Sequence, residues 1–194
     1  GSVLPERKIQ KGKLLFIGGL SWYPNRDAII NFIDLIYPEL VSEGVSFSLD
    51  IIGKSPPAQL VGAISGIDDI TFHGFVDDIS GYYEEANVYI CPITDGGGTK
   101  LKILDAFAKK MAVVAYPVAC EGIDVKHGRD ILIANNPKEF SDCIIMLMED
   151  LALCERLGEA SFTLVKQKYS YDFIGQALSQ FYEGICSDSP KSGQ

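Results

Sequence analysis

The densest potential chemistry in this chain lies in the segment DGGGTKLKILDAFAKK, from Asp95 to Lys110. Three successive glycines let the backbone approach a ligand closely and expose its N–H groups. A helix starting about Thr99 adds the positive end of its dipole, the usual recipe for holding an anion. Lys100 and Lys102 add formal charge, and residues 100–110 carry four lysines against one acid. Gly97, Gly98, Thr99, Lys100 and Lys102 therefore read as a candidate cradle for a diphosphate. Asp105, one and a half turns into the helix, has the chemistry to accept hydrogen bonds from ribose hydroxyls. The segment is neither a G-x-x-x-x-G-K-[ST] loop nor a G-x-G-x-x-G turn. No Ser-His-Asp or Cys-His arrangement stands out.

Other candidates lie on other loops. Asp95 and Glu121 are acids that could meet near a sugar. His73 follows a strand and reads first as a structural histidine. Trp22, Tyr23 and Phe75 could stack on a base or a sugar, or serve as lids on the core. Glycine-bearing turns also occur at Gly18-Gly19, at His73-Gly74-Phe75 and at Cys120-Glu121-Gly122.

These loops need elements to position them. The runs at 13–19, 46–53, 70–74, 88–93, 112–117 and 130–134 are short and mostly apolar without strict alternation, which predicts buried strands. Between them, residues 25–40 place Ile29, Ile30, Phe32, Ile33, Ile36 and Leu40 at helical spacing, with Pro24 near the first turn. Pro56 and Pro57 open a short helix, and residues 77–86 suit a helix capped by acids. From 137 onward the pattern is mostly helical. Strand and helix alternate, which predicts an α/β fold: a doubly wound parallel sheet, Rossmann-like, with C-terminal helices. Ligands of such sheets sit at the carboxyl ends of the strands, so the glycine loops are expected to gather there.

Composition sets the outer limits. The chain has 194 residues, 47% hydrophobic and 22% charged, with a net charge of −9. That is the size of one domain and excludes a whole-protein basic footprint for nucleic acid. The five cysteines are scattered and never spaced C-x-x-C, which suits idle thiols in a reducing cytoplasm. With two histidines, no metal site is expected. No apolar run is long enough to cross a membrane. Gly1-Ser2 reads as a residual tag. The expected division is a tag remnant and linker at 1–12, one nucleotide-binding domain at 13–186, and a disordered tail at 187–194.

From Lys13 to about Tyr182 the sequence resembles the C-terminal, donor-binding domain of GT-B glycosyltransferases of the family 4, or group 1, type. The matching pieces occur in order: FIGGL followed by Pro24-Asn25, FSLDIIG, FHGFVDDISGYYEEANVYICPI, GGGTKLKILDAFAKKMAVVAYPV and CEGIDVKHGRDILIANNPKEF. The stretch 96–124 is the most specific. It is similar to a bacterial branch reading G-x-G-T-(R/K)-x-K-(I/L)-L-E-A and then x-E-G-(I/L).

The resemblance implies a nucleotide-sugar donor, transfer with retention, and no bound metal or other cofactor. It places Asp105 on the ribose, where the family usually has Glu. It places His73, Phe75 and Val76 beside the base through main-chain contacts, and Asp95, Glu121 and Gly122 beside the donor sugar. The family's acid eight residues before the ribose acid is Gly97 here. Its Arg and Lys diphosphate clamp falls at Gly19 and about Pro24, so Lys100, Lys102 and the backbone at Gly19 and Gly97 to Thr99 take over the diphosphate.

The resemblance also implies an N-terminal acceptor-binding domain in a longer, cytoplasmic parent chain, with peripheral membrane attachment left open. This domain alone would turn over poorly or not at all. Two other classes compete. A non-catalytic nucleotide or nucleotide-sugar binding module suits the departures at Gly19 and Gly97. A response-regulator-like or other flavodoxin-like signalling domain needs a clustered acidic pocket, which the Gly97–Lys102 loop fits badly.

Overall fold

The computed structural model describes residues 7–54, 56–96 and 100–169. The expected tag remnant, the triad Gly97-Gly98-Thr99, the helical pattern beyond 169, Cys186 and the tail at 187–194 lie outside them.

Six parallel strands form one sheet: β1 (Lys13–Ile17), β2 (Ser48–Ile52), β3 (Ile70–Gly74), β4 (Val88–Cys91), β5 (Ala112–Ala115) and β6 (Leu132–Ile133). Their order is β3-β2-β1-β4-β5-β6. The chain moves outward from β1 through β3, returns to the other side of β1, and moves outward again. The sheet is thus doubly wound, with its switch point between β1 and β4. Helices cover it: α1 (Tyr23–Asn31), α2 (Tyr37–Ser42), α3 (Ala58–Ile64), α4 (Ser80–Glu85), α5 (Lys100–Ala108), α6 (Pro137–Glu149) and α7 (Leu151–Lys168). This is the α/β class the sequence predicts.

The inner strands β4 and β5 are apolar throughout, and β1 nearly so, because both faces are covered. Leu14, Leu15 and Phe16 of β1, the whole of β4 and the whole of β5 are buried. Tyr89, Phe16, Phe32, Phe107 and Phe140 are the largest buried side chains. The strands end earlier than the apolar runs do, for a covalent reason. Pro92 and Pro117 carry no N–H, so neither can extend the ladder, and β4 and β5 stop one and two residues before them. On the far edge, β6 keeps only two of the expected residues. There the buried carboxylate of Asp130 accepts from the Lys126 backbone N–H at 3.0 Å and pairs with Arg129, folding 126–130 into a turn.

The first helical stretch also differs from its reading. It is not one helix but α1, a π-helical segment over Phe32–Ile36, and α2. Pro38 explains the widening: it has no N–H to give, and its ring crowds the carbonyl one turn back. Ile29, Phe32, Ile36 and Leu40 face the core, whereas Ile30 is exposed. Asn136 caps α6 by accepting from Glu139 N–H at 2.9 Å, and the Glu139 carboxylate reaches back to Asn135 N–H at 2.8 Å. That is a reciprocal capping pair. The helix expected over 77–86 begins only at Ser80, with Ile79 at its N-cap and no side chain capping it; Asp78 accepts from the Ser80 N–H at 2.9 Å in the turn before it.

The segment before β1 is tied to the domain. The Arg7 guanidinium donates to the carbonyls of Tyr83 (3.2 Å), Lys110 (2.8 Å) and Ala86. All three lie at the C-terminal ends of α4 and α5, where the helix dipoles favour a cation. Gln10 N–H adds a bond to Glu85 O at 2.8 Å. Arg7→Met keeps the apolar stem and removes the donors. It is expected to lower the urea unfolding free energy by about 2 kcal/mol at unchanged m-value, since buried carbonyls are left unpaired. An unchanged midpoint would show that residues 7–12 are a dispensable linker.

Candidate functional site

The loops singled out by the sequence all leave the carboxyl ends of strands. Gly18 and Gly19 follow β1, Phe75 and Val76 follow β3, Asp95 and Gly96 follow β4, and Glu121 and Gly122 follow β5 and a short 3-10 turn at Pro117–Cys120. Direct contacts join the first three groups. Leu20 N–H bonds Lys54 O at 2.9 Å, and the Lys54 ammonium lies 4.0 Å from the centroid of the Phe75 ring. A Cβ at Gly53 would stand 2.0 Å from Gly18 O, so the exit of β2 packs directly on the β1 turn. At Gly96, φ is +104°, and a Cβ there would stand 2.7 Å from Pro24 Cγ. The two glycine loops on either side of the switch point are therefore wedged against the first turn of α1.

Lys102 is the centre of this arrangement. It lies on α5, directed back under the β1 turn, with its ammonium 4.8 Å from the Phe16 ring centroid. Its one hydrogen-bond acceptor among the described residues is Oδ1 of Asn25. Asn25 is only 5% exposed, and its Nδ2 donates to Gly19 O at 2.9 Å. Only one amide orientation serves both partners, because the ammonium needs an oxygen and the carbonyl needs an N–H. No carboxylate among the described residues pairs with Lys102. Burial accordingly pushes its pKa below the ordinary lysine value. The switch point of the sheet thus holds a largely buried cation with no carboxylate partner among the described residues.

The remaining candidates have varied surroundings. Asp105 is on the exposed side of α5; partial burial raises its carboxyl pKa, and Lys109 opposes the shift. Asp95 is exposed and closes its own loop by accepting from Gly96 N–H at 2.7 Å. Glu121 and Gly122 are exposed, the latter with φ of +75°. Phe75 is 60% exposed and Val76 packs against the core. Trp22 and Tyr23 are exposed as well, so none of the three aromatics is a lid on the core. The His73 ring is engaged on both nitrogens, with Asp50 Oδ1 at 2.7 Å and the Tyr82 hydroxyl at 3.2 Å. That leaves its main chain as the part facing the loop. Gly97, Gly98 and Thr99 lie outside the described residues, as does the Lys100 side chain.

Sequence reasoning missed Asn25 as the partner of Lys102, although Pro24-Asn25 belongs to the pattern that carries the resemblance. It also missed the cluster of Lys13, Asp50, His73, Tyr82 and Glu85 under α4. There Lys13 stands 2.6 Å from Glu85 and 3.4 Å from Asp50. Cys91, Cys120, Cys143 and Cys154 are buried, and burial raises their thiol pKa to about 11 or about 12. Among the described residues no group of His, Cys, Asp and Glu could hold a metal ion, and no helix is long and apolar enough to cross a membrane. A groove beside β6 is lined by His127, Glu139, Cys143 and Met146. Its polar groups are engaged locally: His127 accepts from Ile133 N–H at 3.0 Å, and Glu139 serves as the α6 cap.

A doubly wound parallel sheet in this strand order defines a Rossmann-like α/β domain. Residues 11–150 match the family model described as "Glycosyl transferases group 1", and the chain belongs to that family. An uncharacterized 44.6 kDa protein in the cps region of Klebsiella pneumoniae is 26% identical over 163 residues, covering 80% of this chain and 42% of its own length. The chain spans less than half the length of the curated relatives it matches. Among solved structures, the C-terminal domain of a group 1 family glycosyl transferase (LpcC) from Francisella tularensis superposes with a TM-score of 0.66 at 21% identity. It covers 87% of this chain and 89% of that one. An S. aureus TarM mutant in complex with fondaparinux, alpha-GlcNAc-glycerol and UDP gives a TM-score of 0.75 at 15% identity, over 93% of this chain and 37% of that one. These two structural likenesses show the fold.

The lowered Lys102 pKa has a consequence for stability. Between that value and the ordinary lysine value, the unfolded chain binds more protons than the native one, so stability rises with pH across this window. Below the window the full cost of burying the ammonium is present. Lys102→Met is therefore expected to be more stable than wild type at neutral pH. The difference should narrow as pH rises toward the ordinary lysine value, followed by urea unfolding at each pH. A difference that stays constant or widens would mean the ammonium is not under strain.

Proposed function

We propose that this chain is the nucleotide-sugar donor-binding domain of a group 1 glycosyltransferase. The observation that carries the reading is Lys102, largely buried and without a carboxylate partner among the described residues, beneath the Gly18-Gly19 turn. A diphosphate supplies the missing anion. In this reading its oxygens meet Lys102, Lys100, the backbone N–H groups of Gly19 and Gly97 to Thr99, and the N-terminus of α5. Asp105 accepts from the ribose hydroxyls. The base lies along His73, Phe75 and Val76, with Phe75 offering an exposed ring. The donor sugar lies toward Asp95, Glu121 and Gly122. Family membership and the UDP in the TarM structure support this placement.

Sugar transfer breaks the bond between the anomeric carbon and the diphosphate, so negative charge grows on the leaving nucleoside diphosphate. Preorganised cations and backbone dipoles at that point lower the barrier without a resident metal. The acceptor is held by an N-terminal domain of the same longer polypeptide, and retention at the anomeric carbon follows the family. In that arrangement the domain alone binds donor and turns over little or none.

Titration calorimetry with UDP and GDP tests the site. At least one is expected to bind, with Lys102→Ala and Asp105→Ala each weakening it about tenfold or more, the scale of a lost charge-assisted hydrogen bond. No binding of either at millimolar concentration would end the reading. Unchanged affinity in both variants would end the residue assignment.

A further inference from the structure

We infer that Asn25 is a positioning residue for the diphosphate: its neutral amide fixes the Lys102 ammonium beneath the Gly19 turn while leaving the positive charge uncompensated. The inference rests on the donor-binding reading above.

Three observations carry it. Asn25 is 5% exposed and both ends of its amide are used, Nδ2 on Gly19 O and Oδ1 on the Lys102 ammonium. Its neighbours are shaped around it: a Cβ at Gly18 would stand 2.6 Å from Asn25 Nδ2. The same turn of α1 also meets the second glycine loop, through Pro24 against Gly96. One side chain thus ties the β1 turn to the cation on α5, across the point where the sheet reverses direction.

The choice of side chain matters chemically. A buried ammonium needs an acceptor, and the strongest one would be a carboxylate. A carboxylate would also cancel the charge, leaving nothing for an anionic ligand to find. An amide oxygen satisfies one ammonium proton and leaves the remaining donors and the whole charge for the ligand. Asn at this position is therefore an acceptor that orients without neutralising. Asn25→Asp is the sharp perturbation: it is nearly isosteric, but it places a carboxylate on Lys102 and turns an oxygen toward Gly19 O.

UDP binding to the whole chain is measured by calorimetry for wild type, Asn25→Leu, Lys102→Met and the double variant, with GDP in parallel. Each single variant is expected to bind about tenfold more weakly. The double variant should be no weaker than Lys102→Met, because Asn25 acts through the lysine. Replacing both partners by apolar groups also keeps the double variant well packed. Asn25→Asp, whose carboxylate is paired, should retain a cooperative thermal transition. It should also lose affinity for UDP by about tenfold or more, and most of the salt dependence of binding.

Losses that multiply in the double variant would assign Asn25 a merely structural role and overturn the inference. So would wild-type affinity in Asn25→Asp. Both results leave donor binding intact. Failure of wild type to bind UDP or GDP overturns the donor reading and the Asn25 inference with it.

Discussion

The arrangement depends on a cation, Lys102, for which the described residues supply no carboxylate partner. The Lys102 ammonium sits under the β1 turn, over the Phe16 ring, with an amide oxygen as its acceptor. Burying a charge this way destabilises the empty domain, and the lowered lysine pKa expresses that cost. The large apolar interior can carry the cost. Both faces of the sheet are covered, and the central strands β1, β4 and β5 are buried almost completely. Stability gathered in the core is spent at one point on the carboxyl edge, where a ligand can repay it.

The sheet topology makes that point possible. In the order β3-β2-β1-β4-β5-β6, the chain leaves β1 and β4 in opposite directions. Their following loops are then free to approach one another instead of being filled by a crossover. The first turn of α1 occupies the gap. Pro24 packs against Gly96, Asn25 bonds the Gly19 carbonyl, and Gly53 lets β2 press against Gly18. A side chain at either Gly18 or Gly96 would push this turn out and separate the lysine from its acceptor.

Much of this was legible in the sequence, and what was not has a physical reason. The strands could be read because parallel strands buried on both faces are mostly apolar runs. Their ends were misjudged where Pro92 and Pro117, though apolar, cannot join a ladder. The long first helix was read without the π-helical segment because apolar spacing does not register a missing N–H at Pro38. Lys102 could be singled out because its candidate chemistry is local to one segment, whose Gly97, Gly98 and Thr99 lie outside the described residues. Asn25 could not, since its role depends on a partner 77 residues away, brought near only by the β1–β4 pairing. Arg7 was hidden for the same reason: its partners are carbonyls, which have no sequence signature. His73 carried a readable prior, and the structure gives it a structural environment between Asp50 and Tyr82.

The rigidity of the supports argues for where function resides. Glycine loops at strand ends tolerate changes in length and composition, and the ones here depart from the family pattern at Gly19 and Gly97. The lysine and its amide stand on helices instead: α5, packed against β5, and α1, whose Ala28 and Ile29 are buried in the core. A cation mounted on such elements is oriented before a ligand arrives, so little reorganisation is needed when negative charge develops beside it. The departures from the family pattern at Gly19 and Gly97 therefore fall on loops and not on these helices. The charge that would hold a diphosphate remains on the framework, set by Asn25 at one end and by the buried apolar face of α5, through Ile103, Ala106 and Phe107, at the other.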